Sequence, residues 1–457
     1  MFLFFSLIYS LYSVIRHLRF ETFIFDLGVY DQMIWLASRG KPLFSTILQT
    51  HVFGDHFTPT LILLAPLYWF WDNVLILLIF QAFFCAFGVF PIYYLSLKKT
   101  KDYWLSFTIS FCYVAFFGVQ NAIAFDFHPI VLATTLFAWV LWFYEEKKWP
   151  LFWISIVLIL GLQENFSAFL SAYGLFIIFQ FRDFKKGLFL FLGCACLFFL
   201  LISVIIPYFN SGQFIYAPTH LNNLGLLEIV KMFFYPYSKI QVMFVTLLSF
   251  AFLPLLTPAI LIIFFEEFLQ RFVGTPISTR WNLGFQYNII LAPVLALGAI
   301  ISIEKYLLKQ KRLVIAGLLL SFVVIQITTS PSLNDLVSKE FYNLDKNKNS
   351  RVLLPLIPPD AGVAAANNLG PQLTHRENII FLTNCLDDPS IWKIDMRRCY
   401  NMKPDYLVAD LNPQGDWGNY YPDGQEALTK YFAEVQKNGE YELVAKQGEA
   451  YLLRKIK

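Results

Sequence analysis

Residues 73–104 read NVLILLIFQAFFCAFGVFPIYYLSLKKTKDYW. Positions 73–97 carry no charge, and a bilayer crossing needs about 20 predominantly apolar residues in a helix. Lys98, Lys99 and Lys101 follow at once, which is where a crossing that re-emerges on the cytoplasmic side carries its basic residues. The stretch reads as one membrane span whose inner end is labelled by charge.

Working outward, comparable apolar runs recur at 2–15, 57–71, 103–119, 129–144, 149–162, 165–181, 187–208, 240–268, 286–303 and 312–328. Of the 457 residues, 57% are hydrophobic and 15% charged, against about 25% charged in an ordinary soluble chain. A wholly soluble protein is excluded. The charge is also uneven: residues 331–457 hold 15 Lys/Arg and 17 Asp/Glu, while the first 330 hold 20 and 15. The fold class expected is an α-helical polytopic membrane domain over 1–330, with about 9 to 11 transmembrane segments, followed by a small C-terminal α/β soluble domain over 331–457. A net charge of +3 spread over such a chain says nothing about nucleic acid; no basic stripe is interleaved with exposed aromatics, and no nucleic-acid partner is expected. Met1–Ile15 lacks the basic start and small-residue cleavage site of a removable signal peptide, so it is expected to stay as a helix.

Basic residues set the orientation. Lys98, Lys99 and Lys101, then Lys147 and Lys148, then Arg182, Lys185 and Lys186, then Lys305, Lys309, Lys311 and Arg312 fill four short connectors, which become the cytoplasmic loops of the cytoplasmic membrane. The runs then alternate consistently only if 57–71 does not cross. Pro59 and Pro66 interrupt it, so it reads as a re-entrant or surface-lying helix covered by protein. The run 240–268, with Pro254 and Pro258 at its middle, must return to the side it left as a hairpin of two short helices. The C-terminal domain lies outside, and 16–72 forms the first outer loop. Arg16 and Arg19 sit on the outer side against the rule.

All six histidines fall on the outer side, and ionisable groups at membrane depth are costly and commonly functional. The first outer loop is densest, with Phe25-Asp26-Leu27-Gly28-Val29-Tyr30-Asp31-Gln32 and His51-Val52-Phe53-Gly54-Asp55-His56-Phe57. Asp26 could be a helix cap or first-turn charge, or a chemical group. Asp31, about 140° round a helix from it, would do a different job. Asp55-His56 also reads as a cap. In Phe125-Asp126-Phe127-His128-Pro129, residues two apart in extended chain project to one side, so Asp126 and His128 could address one substrate group or one divalent metal ion; no cofactor is certain. Glu164 sits at a turn between two runs. Arg271, Arg280 and His220 are candidates for binding a phosphate, which the guanidinium fork matches, or for interfacial anchoring.

Cys85, Cys112, Cys194 and Cys196 lie in apolar runs and read as small buried hydrophobes. Cys385 and Cys399 suit one disulfide if their domain is outside. No nucleotide-cradling glycine loop, nucleophile elbow, HExxH or paired CxxC is present.

The run RHLRFETFIFDLGVYDQMIWLASRGKPLFST, with HVFGDHFTPTLILLAPLYW, resembles a family of predicted polytopic membrane proteins classed as a domain of unknown function. That family is similar to the GT-C glycosyltransferases. IPPDAGVAAANNLGPQLTHR and PDYLVAD also look like this family's. GT-C enzymes take a sugar from a polyprenyl-phosphate carrier at the outer face, using an acidic residue of the first large outer loop. The resemblance implies that Asp26 matches that residue and that His56–Trp69 matches the loop helix following it. No Asp-x-Asp pair is present. Asp31, Asp55, His56, Asp126, His128 and Glu164 would orient acceptor or donor.

In the C-terminal domain, Val352–Ile357, Gly362–Ala366, Ile379–Leu382 and Tyr406–Ala409 read as short strands, Leu428–Gln436 as a helix, and Glu440–Arg454 as a hairpin around Gln447-Gly448. Asn367, Asn368 and His375 could bind an acceptor or serve loop hydrogen bonds. The leading expectation is a membrane transferase acting on a polyprenyl-phosphate-linked sugar and an unknown glycan, lipid or protein acceptor. A transporter or flippase of a lipid-linked glycan would show internal repeats and a midplane site, and neither is apparent. A structural envelope protein is the third reading.

Overall fold

The computed structural model describes residues 1–222, 224–382 and 404–456. Among the described residues, four helices are long and apolar enough to cross a membrane: Leu75–Thr100, Tyr103–Ala124, Phe184–Phe209 and Gln286–Thr329. Shorter apolar helices, Phe2–Leu18, Pro129–Glu145, Trp149–Leu160, Asn165–Phe181 and Tyr237–Leu248, accompany them. Their surfaces face an apolar solvent. On Phe2–Leu18 the residues Leu3, Leu7 and Leu11 are exposed, and on Lys311–Thr329 so are Leu313, Leu320 and Ile327, stripes that a water-soluble monomer would bury.

Close backbone approach holds helices together where lipid supplies no hydrophobic drive. The helices Asn165–Phe176 and Phe184–Leu200 cross at Gly174 and Gly187, and a Cβ on Gly174 would meet the Gly187 carbonyl oxygen at 2.7 Å.

Ion pairs gather the lysine-bearing connectors at one end. Lys99 reaches Glu145 at 3.1 Å and Glu304 at 3.7 Å, Lys311 reaches Asp102 at 2.5 Å, and Lys186 stands 4.1 Å over the Trp149 ring. The long segment Gln286–Thr329 bends there, through Ile303–Gln310. At the opposite end lie the histidine-bearing loops. Segment 57–71 stays at that end: a 3-10 turn, Pro59–Leu64, and one helical turn, Leu67–Phe70. Thr60 donates to the Leu158 carbonyl at 2.8 Å, and Trp69 donates to the Ser38 carbonyl at 2.9 Å. The run 240–268 forms the helices Tyr237–Leu248 and Ile260–Phe272, and Lys239 donates to the Phe272 carbonyl at 2.7 Å, so the second helix returns to where the first began.

Beyond Thr329 the described residues build a five-stranded sheet. With the two-residue pairing β1 (Phe44–Ser45) and β2 (Thr50–His51) counted first, its strands are β3 (Val363–Ala365), β4 (Ile379–Phe381), β5 (Tyr406–Asp410), β6 (Tyr441–Gln447) and β7 (Ala450–Lys455), in the order β4-β3-β5-β7-β6. β3 runs parallel to β4 and β5, and the others are antiparallel. Gly448 turns the β6–β7 hairpin at φ 56°, and Gln425–Lys437 packs Leu428, Phe432 and Val435 on the sheet. Val352–Ile357, read as a strand, is instead the end of a helix, Lys348–Leu353, and a 3-10 turn, Leu354–Leu356. Pro355, Pro358 and Pro359 remove the donors a ladder needs. Cys385 and Cys399, read as a disulfide, lie outside the described residues.

The sheet region docks on the first loop. In an α/β sheet the crevice at the carboxyl ends of parallel strands, where crossovers diverge, commonly takes a ligand. Here Phe23-Ile24 occupies it: Ile24 donates to the Asn367 carbonyl at 2.7 Å, and Gly370 and Gly418 leave room for the two side chains. Arg19 donates to the Glu340 carbonyl, and Arg16 donates to the carbonyls of Ala124 and Phe125.

Candidate active site

Phe23 is extended, and the chain then makes one wide turn, Ile24–Gly28, before the helix Val29–Ser38. Asp26 lies in the first turn of that segment, and its side chain makes no cap hydrogen bond among the described residues. Its Oδ1 is 3.1 Å from His128 Nε2, its side chain is 25% exposed, and its Oδ2 has no hydrogen-bond partner among the described residues.

His128 is fixed from behind. Gln81, fully buried in the apolar helix Leu75–Phe87, accepts from the His128 N–H at 2.8 Å and donates to the Asp126 carbonyl at 3.1 Å. Pro129 begins the next helix, where its missing N–H costs nothing. Gln286 Nε2 stands 3.1 Å from His128 Nε2, and the Tyr30 and Phe125 rings flank the imidazole at 5.9 and 5.4 Å.

Asp126 does not share this opening. It is 1% exposed, accepts from the Phe23 N–H at 2.7 Å, and lies 3.9 Å from Arg16. The expectation that Asp126 and His128 address one group is therefore not met, because the loop turns Asp126 inward as a brace for the Phe23 backbone. Burial pushes its carboxyl up to about 7, opposed by Arg16 and reinforced by Asp26.

A second polar cluster adjoins the first through Tyr30, whose hydroxyl feels Asp55, Asp26 and Glu164. Asp55 accepts from the Tyr216 hydroxyl at 2.6 Å, and His56 stacks on the Tyr216 ring at 4.5 Å. His56 Nδ1 is 2.7 Å from Glu164, which also accepts from the Phe57 N–H at 3.3 Å. Burial alone would lower the His56 pKa, but Glu164 and Asp55 outweigh it and raise it; His56 in turn holds Glu164 below the usual carboxylate range despite burial.

Of the three phosphate candidates, Arg280 is the one whose side chain makes no hydrogen bond to the described residues; Arg271 has one unpartnered donor, Nη1, but is buried. Arg280 lies 5.2 Å over the Tyr287 ring, and its buried Nε has no partner among the described residues. Arg271 is buried, donating to the Arg280 carbonyl at 2.9 Å and to Asn288 at 2.8 Å, with Glu267 3.7 Å away. His220 is bonded to the Val273 carbonyl at 2.8 Å. Both support the loop that carries Arg280.

Asp31 is fully buried at the junction with the sheet region. It accepts from the hydroxyls of Tyr68 and Thr374 and lies 3.2 Å from His375, whose other ring nitrogen is 2.9 Å from Asp72. The role expected for Asp31 in orienting substrate gives way to clasping two parts of the chain. Among the described residues, no three His, Cys, Asp or Glu side chains are grouped to hold a metal ion. The reading missed Gln81, Gln286, Tyr30 and Tyr216. Gln81 alone was signalled, as an amide inside an apolar run.

No curated protein matches the chain. Among solved structures, the crystal structure of ArnT from Cupriavidus metallidurans bound to undecaprenyl phosphate is similar in fold, with a TM-score of 0.55 at 10% identity, over 100% of this chain and 97% of that one. That likeness bears out the GT-C-like fold implied by the first-loop resemblance. The family model described as predicted membrane protein (DUF2079) matches residues 16–452, and the chain belongs to that family of membrane proteins.

Proposed function

We propose that the chain is a GT-C-type glycosyltransferase that moves a sugar from a polyprenyl-phosphate carrier to an acceptor on the outer face of the membrane, with Asp26 as base. The observation that carries this reading is how the neighbouring carboxylates are spent. Asp31, Asp126, Glu164 and Asp55 are each engaged by protein donors, whereas Asp26 offers an open oxygen beside His128. A base must stand within hydrogen-bond reach of the proton it takes, and Asp26, with its side chain 25% exposed, is the most open of these carboxylates: the unpartnered Oδ1 of Asp126 is buried, and the Asp55 side chain is 16% exposed.

In the reaction, an acceptor hydroxyl gives its proton to Asp26 as its oxygen bonds to the anomeric carbon. The bond from that carbon to the carrier's phosphate oxygen breaks, and the phosphate leaves with the electron pair. His128 holds the Asp26 carboxylate in place, and Arg280 offsets the charge on the phosphate through a bidentate fork. The fold likeness to a protein bound to undecaprenyl phosphate supports such a carrier.

In this reading the lysine-bearing end is cytoplasmic, residues 331–457 lie outside, 16–72 is the first outer loop, and the shorter apolar helices cross beside the four long ones. Arg16 and Arg19 fit this orientation because their guanidiniums are held by carbonyls at the outer end. The test supplies the purified, reconstituted chain with polyprenyl-phosphate sugars and follows release of free polyprenyl phosphate. Release that requires an acceptor supports transfer. Movement of the intact lipid between leaflets without cleavage would support the transporter reading and contradict this one.

A further inference from the structure

We infer that the cleft between the end of the first helix and the sheet region binds an anionic group, a phosphate or carboxylate, through Arg351 and Arg376. Its volume, about 410 Å³, lies within the size range of ligand pockets. Leu18 and Phe20 line it on one part, the stretch Arg351–Pro359 on another, and Gln372–Arg376 on a third. Among the described residues, no Asp or Glu lines it.

The two arginines are placed and unspent. Arg376 is 7% exposed; its Nε donates to the Leu373 carbonyl at 2.7 Å and its Nη1 to the Ala361 carbonyl at 2.9 Å. These bonds fix the guanidinium plane and leave Nη2 without a partner among the described residues. Arg351 lies 5.6 Å over the Phe20 ring and donates through Nη2 to the Leu18 carbonyl at 2.5 Å. Neither has a carboxylate within salt-bridge distance among the described residues. Asp31 and Asp72 do not line the cleft; each lies against one ring nitrogen of His375.

A largely buried guanidinium whose one acting carboxylate, the exposed Asp360, lies beyond salt-bridge distance is costly, and an anion received by its free N–H groups offsets that cost. The apolar lining, and the position at the end of a lipid-exposed helix, suit the phosphate of a lipid headgroup. A soluble phosphate presents the same oxygens. This site is distinct from the Asp26 cluster, and its test reads binding rather than transfer.

The experiment follows thermal unfolding of the full chain in two arms at constant ionic strength: neutral detergent with added inorganic phosphate, and phosphatidylcholine nanodiscs with or without phosphatidylglycerol. The melting temperature should rise in at least one arm, and Arg351→Gln and Arg376→Gln should abolish the rise. A rise with phosphatidylglycerol alone assigns the site to a lipid headgroup, and a rise with phosphate alone assigns it to a soluble anion. No rise in either arm overturns the inference. So does a rise that survives in Arg351→Gln, an exposed position whose loss should not unfold the chain, whether or not Arg376→Gln folds.

Discussion

Replacing Gly370 by alanine would set a Cβ 2.4 Å from the Cβ and Cδ1 of Ile24, where carbon atoms rest at about 3.5–4.0 Å. Ile24 cannot yield cheaply. It is fully buried, its N–H is held by Asn367 at 2.7 Å, and its Cγ1 already stands 2.9 Å from where a Cβ on Gly28 would lie. Relief therefore needs a shift of about 1 Å in the turn that carries Asp26 two residues on. Overpacking of this kind costs about 1–3 kcal/mol, and a 1 Å misplacement of a reacting group costs about 10²-fold in rate. Thermal unfolding and sugar transfer by the same preparation should both fall. Gly193→Ala is the control, because its Cβ would meet nothing within 4 Å; it should leave transfer unchanged and stability equal or up to about 1 kcal/mol higher. If Gly370→Ala matches the unmodified chain in both assays, the sheet region does not hold the Asp26 turn.

Other substitutions probe the groups around the site. A carboxyl raised from 3.8 to about 7 in the folded state, as burial raises Asp126, stabilises fully below its unfolded value and loses that contribution as pH rises through about 7. Asp126→Asn, which still accepts from Phe23, should flatten the decline of stability between about pH 4 and 7; an unaltered slope would count against the assignment. Glu164→Gln removes the partner that raises His56, so the His56 titration followed by NMR should move down. Its stabilising contribution, present below the unfolded value of 6.5 and lost as pH rises through the higher folded value, should shrink. In a chain without its native cysteines, Val337→Cys, at a position 90% exposed, should react with an impermeant thiol reagent from outside, and Lys309→Cys only after permeabilisation. The reverse pattern would invert the orientation.

The helical framework was legible because bilayer thickness and the lysine clusters constrain a sequence directly. Prolines carried the rest: Pro59 and Pro66 marked the segment that breaks into a 3-10 turn and one helical turn, and Pro254 and Pro258 the hairpin turn. Pro355, Pro358 and Pro359 should equally have warned against a strand over 352–357. The site was legible only as a set of residues on one face. Which carboxylate stays open depends on partners far along the chain: Tyr68 and Thr374 for Asp31, Phe23 for Asp126, Tyr216 for Asp55. Spacing within a motif cannot reveal those pairings. The two-residue spacing of Asp126 and His128 suggested one shared direction, and the turn before Pro129 separated them.

The central claim is that Asp26 takes the acceptor's proton, and Asp26→Asn tests it most directly. The amide keeps the size of the side chain and can still meet His128, but it cannot accept that proton. Release of polyprenyl phosphate from a polyprenyl-phosphate sugar, measured with an acceptor at saturating carrier, should fall by about 10²-fold or more, while the melting temperature stays within about a degree of the unmodified chain, since surface-accessible changes away from packing cost no more than about 0.5 kcal/mol. Release that continues at the unmodified rate in a folded Asp26→Asn chain would contradict the assignment of Asp26 as base and, with it, the mechanism proposed for this site.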